Sequence, residues 1–215
     1  MIISDVMSKN PVYVNPDTSV TDAKALMIKE KISKLPVLDK SNRLVGIITK
    51  NDLQKAGPSD ASTLDIWELG YLLSKLKVEK IMIKDVVTVQ CNEVVEEAAR
   101  IMADKKIGCL PVLNGDILTG IITETDLFQT FVNMFGARHP GVRAMIELAE
   151  KPGELAKIAN AVAEKNGNIV SIVTCEGSDV SKRDITMKIS NISKSDIEDI
   201  LNSCNAKILD IRETK

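Results

Sequence analysis

Two short stretches pair a hydroxyl with a carboxylate three residues on: Thr49-Lys50-Asn51-Asp52 and Thr123-Glu124-Thr125-Asp126. Each follows an apolar run, Gly46-Ile47-Ile48 and Gly120-Ile121-Ile122, so each falls where a strand gives way to a helix. A carboxylate in that place can accept both hydroxyls of a ribose, and a threonine hydroxyl can donate to phosphate. The helix start adds free N–H groups and the positive end of a dipole, both favourable to an anion. The same pattern has a purely structural use, because Thr-x-x-Asp resembles a capping box worth about 1 kcal/mol with no ligand at all. Two copies at matched positions tip the reading toward ligand binding in at least one of them.

The elements that position these pairs are themselves duplicated. In the first copy, Val12-Tyr13-Val14 is a short β-prone run closed by Asn15-Pro16-Asp17. Thr18 or Ser19 can cap a helix with Asp22 in its first turn and Val20, Ala23, Leu26 and Met27 on one face. The pattern then switches to strand at Leu35-Pro36-Val37-Leu38, turns at Asp39 to Asn42, and returns through Leu44 to Ile48. The second copy sets Met82 on Met7, Val87 on Val12, Ala98 on Ala23, Met102 on Met27 and Leu110-Pro111-Val112-Leu113 on the first Leu-Pro-Val-Leu. It loses one residue in the turn, where Asn114-Gly115-Asp116 predicts a tighter hairpin. Each small sheet needs another apolar surface, so the repeats are expected to pack face to face. The expected divisions are residues 1–55 and 79–135 for the repeats, with a linker helix over 56–78. That helix carries Leu64, Trp67, Leu69, Leu72, Leu73 and Leu76, and Trp67 and Tyr71 are candidates for a subunit contact.

Residues 141–215 change character. Val142 to Leu148 alternates as a strand, and Pro152-Gly153 precedes a helix with Leu155, Ile158, Ala159 and Val162 on one face. A strand over Asn168 to Cys175, a polar turn and a strand over Asp184 to Ile189 follow. A helix starting at Ser193 or Ser195 and a strand over Ala206 to Ile211 complete the order β-α-β-β-α-β, the ferredoxin-like plan. The fold class is therefore α+β.

Composition narrows the functions. With 44% hydrophobic and 27% charged residues the chain is an ordinary globular protein. Aromatics at 3% leave few stacking platforms for single-stranded nucleic acid, and a net charge of −2 with a pI near 5.6 argues against a phosphate-backbone stripe. Cys91, Cys109, Cys175 and Cys204 lack C-x-x-C spacing, so neither a metal site nor a disulfide framework is expected, and buried reduced thiols are the reading. His139, the only histidine, sits beside Pro140-Gly141 and reads as a loop residue. No Ser/His/Asp set, metal cluster, P-loop or dinucleotide fingerprint stands out, so catalysis is not expected. Neither a signal-like N-terminus nor an apolar run approaching roughly 20 residues is found, and the expectation is a cytoplasmic protein with no membrane or nucleic-acid partner.

With the duplicated G-I-I-T-x-x-D signature and the Leu-Pro-Val runs, residues 4–128 resemble a tandem pair of cystathionine-β-synthase (CBS) domains, a Bateman module. Residues 142–215 resemble an ACT domain, through Pro152-Gly153-Glu154-Leu155 before the first helix and Asn168-Ile169 opening the second strand. The combination is similar to bacterial CBS/ACT proteins of acetoin utilisation. The resemblance implies a regulatory module, most often a homodimer, that binds an adenine nucleotide (AMP, ADP or ATP) or S-adenosylmethionine. It implies one site around Val12, Lys34, Leu35, Pro36, Thr49, Lys50 and Asp52. A second lies around Val87, Cys109, Leu110, Pro111, Thr123 and Asp126. Lys34 and Lys50 suit phosphates, whereas Cys109 and Glu124 stand at the matching positions of the second site, where a carboxylate repels phosphate. The first site is thus expected to take the more phosphorylated ligand, and the second a less charged adenosyl compound or none. In the ACT domain Pro152, Gly153, Asn168 and Ile169 are the candidates for an amino-acid site. An enzyme of acetoin breakdown and a DNA-binding regulator are the competing readings, and the regulated partner is not legible.

Overall fold

The computed structural model describes residues 1–56, 71 and 74–215. Of the helix expected over 56–78, Trp67 and the leucines Leu64, Leu69, Leu72 and Leu73 lie outside the described residues, while Tyr71 is exposed. The chain forms two compact units, Met1–Leu127 and Phe128–Lys215.

In the first unit the chain runs α1 (Ile3–Val6), β1 (Ser8–Lys9), α2 (Val20–Lys29), β2 (Lys34–Leu38), β3 (Leu44–Thr49) and α3 (Lys50–Lys55). After the 3-10 turn Val78–Lys80 come β4 (Val89–Gln90), α4 (Val95–Lys105), β5 (Cys109–Asn114), β6 (Ile117–Thr123) and α5 (Glu124–Met134), the last running on into the second unit. Local chemistry sets the boundaries. Ser19 caps α2 by accepting from the Asp22 amide at 3.1 Å. Gly115, at φ +62°, closes the two-residue turn between β5 and β6, and its backbone exchanges two hydrogen bonds with the Gln90 side chain. The run at Val12 makes no strand; Val14 alone bridges to Val37.

The segments that open the two repeats are exchanged. The second sheet has the order β1-β6-β5-β4, so its edge strand comes from the start of the chain, with Ser8 opposite Ile121 and Lys9 opposite Gly120. In return Ile83 bridges to Ile47 beside β3, and Val14 bridges to Val37 as Val89 does to Val112. The crossing is matched bond for bond: the Ile3 amide donates to Glu93 at 2.8 Å and the Val78 amide to Thr18 at 2.9 Å. Ile3 is wholly buried among Val89, Leu110 and Ile122, and Val78 among Val20, Leu35 and Ile48. Burying each such side chain contributes on the order of 1.5–3 kcal/mol, so each repeat is stabilised by a residue outside its own periodic unit.

The exchange also explains the glycine that opens each signature. A Cβ on Gly46 would collide with the Met82 sulfur, and one on Gly120 with the Met7 sulfur. Each glycine makes room for the methionine that leads into the opposite repeat.

The second unit is β7 (Gly141–Ala149), α6 (Glu154–Glu164), β8 (Asn168–Glu176), β9 (Lys182–Ser190), α7 (Lys194–Ser203) and β10 (Lys207–Thr214). The antiparallel sheet has the order β10-β7-β9-β8, as the ferredoxin-like plan requires. Alternate residues Val142, Ala144, Ile146 and Leu148 face Ile158, Val162, Ile197 and Leu201 in one core. Ser193 caps α7. Two expected core residues of α6 turn outward instead: Leu155 is 40% exposed and Ala159 is exposed, because the buried stripe is Ile158 and Val162, with Ala161 beside it.

Candidate functional site

Both Thr/Asp pairs fold as helix caps. Asp52 Oδ2 accepts from the Thr49 amide at 2.9 Å and the Thr49 hydroxyl at 2.7 Å, and the Asp52 amide returns a bond to Thr49 Oγ1 at 3.3 Å. Asp126 Oδ2 accepts from the Thr123 amide at 2.8 Å and its hydroxyl at 2.7 Å. The cap accounts for the hydroxyl–carboxylate spacing. A carboxylate has about four lone-pair sites, so capping leaves it chemically able to take a further donor.

What separates the pairs is their surroundings. A cleft of about 890 Å³ opens within the first unit. It is lined by Ser8 to Val12, running on from β1, by Lys24, Met27 and Ile28 of α2, and by Lys31 just past the end of that helix. Ile32 to Lys34, the α3 residues Lys50, Leu53 and Gln54, and Ile121, Thr123, Thr125 and Asp126 complete the lining. The cleft therefore unites Val12, Lys34 and Lys50 with Thr123 and Asp126.

This regroups the sites expected from sequence order. Thr49 and Asp52, expected beside Val12 and Lys34, do not line the cleft, and Thr123 with Asp126 stand there instead. The segment exchange is the cause: pairing β1 with β6 lays Ser8 to Val12 along the strand that ends at Thr123. Leu35 and Pro36 are buried in β2, and Cys109, Leu110 and Pro111 in β5, none of them on the cleft surface; Val87 packs partly buried against the second core. Lys9, Lys24, Lys31, Ser33 and Gln54 are cleft residues that the duplicated motif does not reveal. The available signal was the i, i+4 spacing of Lys24 and Ile28, which puts them on one face of α2; Lys31 lies beyond the helix, at φ +55°.

The charge is one-sided. Lys9, Lys24, Lys31, Lys34 and Lys50 line the cleft, and among the described residues Asp126 supplies its one carboxylate. On the other side of the repeat relation Glu124 takes the place of Lys50. Its carboxylate lies over Gly108, where a Cβ would come within 2.8 Å of Oε2. Burial pushes the Cys109 thiol up to about 11, with Lys34 opposing and Glu124 adding to the shift.

In the second unit a cavity of about 390 Å³ includes Pro152 and Gly153, together with Thr174, Leu155 and the Glu150–Arg183 ion pair. The hydrogen bond from Arg183 holds the Glu150 carboxyl below its ordinary range. Gly153 caps α6 at φ +89°, a conformation that suits glycine. Asn168 and Ile169 are not brought to this cavity. They pair with Ser190 and Ile189, at the opposite end of β8 from Thr174.

His139 is an exposed turn residue. Of the cysteines, expected to be buried, Cys109 is buried but Cys175 is exposed on the edge strand β8. Among the described residues no group of three or more His, Cys, Asp or Glu is gathered to hold a metal, and no helix is long and apolar enough to cross a membrane.

Comparison with known proteins agrees with this architecture. A family model described as CBS domain matches residues 3–59 and 78–133, and one described as TTHA0829-like ACT domain matches residues 140–212. The crystal structure of an acetoin utilization protein, AcuB, from Vibrio cholerae is similar at 30% identity and TM-score 0.54, covering 64% of this chain and 95% of that one. The CBS domain pair of protein MJ0100, solved with 5-methylthioadenosine and S-adenosyl-L-methionine, matches at 30% identity and TM-score 0.51, over 61% and 95% of the two chains. CBSX2 in complex with AMP matches at 31% identity and TM-score 0.50, over 61% and 96%. The first sequence relatives are longer proteins, of which this chain spans 21%, 47% and 23%.

Proposed function

Because the chain belongs to the CBS-domain family, as a tandem CBS pair followed by an ACT domain, we propose that it is a non-catalytic regulatory module that senses an adenosyl ligand in the cleft of its first unit. The observation that carries this reading is the meeting of Val12, Met27, Ile28 and Ile121, an apolar bed for a base, with Thr123 and Asp126 at the start of α5. Asp126 accepts the ribose hydroxyls, and the helix start favours the negative end of the ligand. The relatives solved with S-adenosyl-L-methionine, 5-methylthioadenosine and AMP support the ligand class.

Occupancy regulates only if the ligand binds one arrangement of the protein better than another. In this reading the ACT domain is the element that pairs two chains or takes an amino acid. The cavity at Gly153, with Arg183 for a carboxylate and Glu150 for an ammonium group, suits the latter. A setting in acetoin or carbon metabolism rests on the likeness to the Vibrio cholerae protein.

Isothermal titration of AMP, ATP and S-adenosylmethionine into the wild type and Asp126→Asn tests the assignment. Asparagine keeps an acceptor for the Thr123 cap while removing the charge, so the helix start is retained. At least one adenosyl compound should bind, and the substitution should weaken it by roughly tenfold or more, the usual size of a charge-assisted hydrogen bond. Absence of binding by all three compounds, or full affinity in Asp126→Asn, overturns the reading.

A further inference from the structure

We propose that the face of the second unit's sheet turned away from α6 and α7 carries a binding site for a phosphate dianion, formed by Arg143 of β7, Lys188 of β9 and Ser171 of β8. The three are cross-strand neighbours in one row, Arg143 opposite Lys188 and Lys188 opposite Ser171, so their side chains leave the sheet on the same face. Val142 and Ile189, one place along, belong to the core, which puts the row on the other side.

Two irregularities of register assemble this row. On β8 the pairing slips between Ile169 and Ser171, so that Ser171 rather than Val170 stands opposite Lys188. On β10 it slips between Ile208 and Asp210, which sets Asp210 opposite Met145 and Arg212 opposite Arg143. Without the two bulges Ser171, Asp210 and Arg212 would all point into the core. Asp210 is the carboxylate of the row: its Oδ2 accepts from Arg143 at 2.9 Å and from Arg212 at 2.8 Å. Both arginines are thereby partnered, and Lys188 is not.

Lys188 is 3% exposed, yet among the described residues its ammonium has no hydrogen-bond or ion-pair partner, and neither has the Ser171 hydroxyl. Glu147, also a buried charge of this unit, is by contrast bonded by Ser178 and Lys182. The turn after α5 packs on the row: a Cβ on Gly136 would stand 3.6 Å from Lys188 Cγ and 3.3 Å from Ser171 Oγ. A buried ammonium without a partner is costly. Burial, with Arg143 beside it, holds this one below its ordinary range. A tetrahedral dianion offers acceptors to the ammonium, the guanidinium and the hydroxyl together, and answers the excess of cations over the one carboxylate.

The test is amide NMR of the full chain, titrated at constant ionic strength with inorganic phosphate, glycerol 3-phosphate or chloride. Signals of Arg143, Ser171 and Lys188 should shift and saturate with phosphate but not with chloride. In Lys188→Met, which keeps the buried stem, the Kd read from Arg143 and Ser171 should rise roughly tenfold or more. Ser171→Ala, on the edge strand, should raise it about fivefold and gives a second reading should the methionine disturb the sheet. Tighter binding of free phosphate assigns the inorganic ion, tighter binding of the ester a phosphorylated metabolite, and either supports the site. Phosphate responses confined to the cleft lysines of the first unit, responses that chloride reproduces, or an unaltered Kd in both variants overturns the inference.

Discussion

The sulfur of Met7 lies against the backbone of Gly120, a residue of the opposite repeat, and holds the place that a side chain there would take. Met82 and Gly46 repeat the contact with the partners reversed. The pair binds the start of the chain to the strand that leads into Thr123 and Asp126, so packing here also shapes the cleft.

Gly120→Ala should therefore be destabilising. The new methyl overlaps a methionine set in a packed layer, an overpacking change that costs about 1–3 kcal/mol. Urea unfolding followed by circular dichroism should show a lower midpoint, and a Met7→Ala change in the same chain should recover part of the loss by vacating the space. No recovery would mean the methionine is not the obstacle.

The two caps should separate in function. Thr49→Val removes the hydroxyl bonded to Asp52 and should lower stability by about 1 kcal/mol, as cap removal does. Because Thr49 does not line the cleft, ATP affinity measured by calorimetry should stay within about twofold, a change below 0.5 kcal/mol. A loss comparable with that of Asp126→Asn would restore the grouping read from sequence order.

Acid should weaken the second unit through Glu147. Hydrogen bonds from Ser178 and Lys182 hold its carboxyl below the ordinary value of 4.5. The stabilisation is present above that value and is lost as pH falls through the lower folded-state pKa. Melting temperatures between pH 7 and pH 3 should drop more steeply for the wild type than for Glu147→Gln. Parallel curves would show that the Ser178 and Lys182 contacts carry no net stability.

Thiol chemistry should divide the cysteines. Cys109 is buried with its thiol pushed up to about 11, whereas Cys175 is exposed. Since the thiolate is the reactive form, iodoacetamide near pH 8 should label Cys175 in the folded protein and Cys109 only on unfolding. Peptide mass mapping distinguishes them, and rapid labelling of Cys109 would place it in contact with solvent.

Much of this architecture was legible in the sequence, and the exceptions share a cause. The repeats, the hairpin at Gly115 and the β-α-β-β-α-β order follow from periodicity and turn chemistry, which are local. The hydroxyl–carboxylate spacing was legible too, together with the cap that competes with ligand binding for its meaning. Periodicity states that Ile3 is buried but not which sheet buries it, so the exchange was invisible and the site residues were grouped by sequence order. Lys24 on α2 and Lys31 just past its end belong to no repeated motif, and only the facing chain makes them cleft residues. Leu155 and Ala159 fit an apolar stripe on α6 as well as Ile158 and Val162 do, and the sheet takes only one of the two.

The crossing of the opening segments has a consequence for ancestry. One repeat alone has an edge without the strand its twin supplies, and a core without Ile3 or Val78. Such a half could complete itself only with a second copy of itself, as a two-fold dimer whose clefts are identical by symmetry. Joining both halves in one polypeptide removes that obligation. Lys50 and Glu124 can then differ, and a receptor for one molecule can arise from a scaffold built for two.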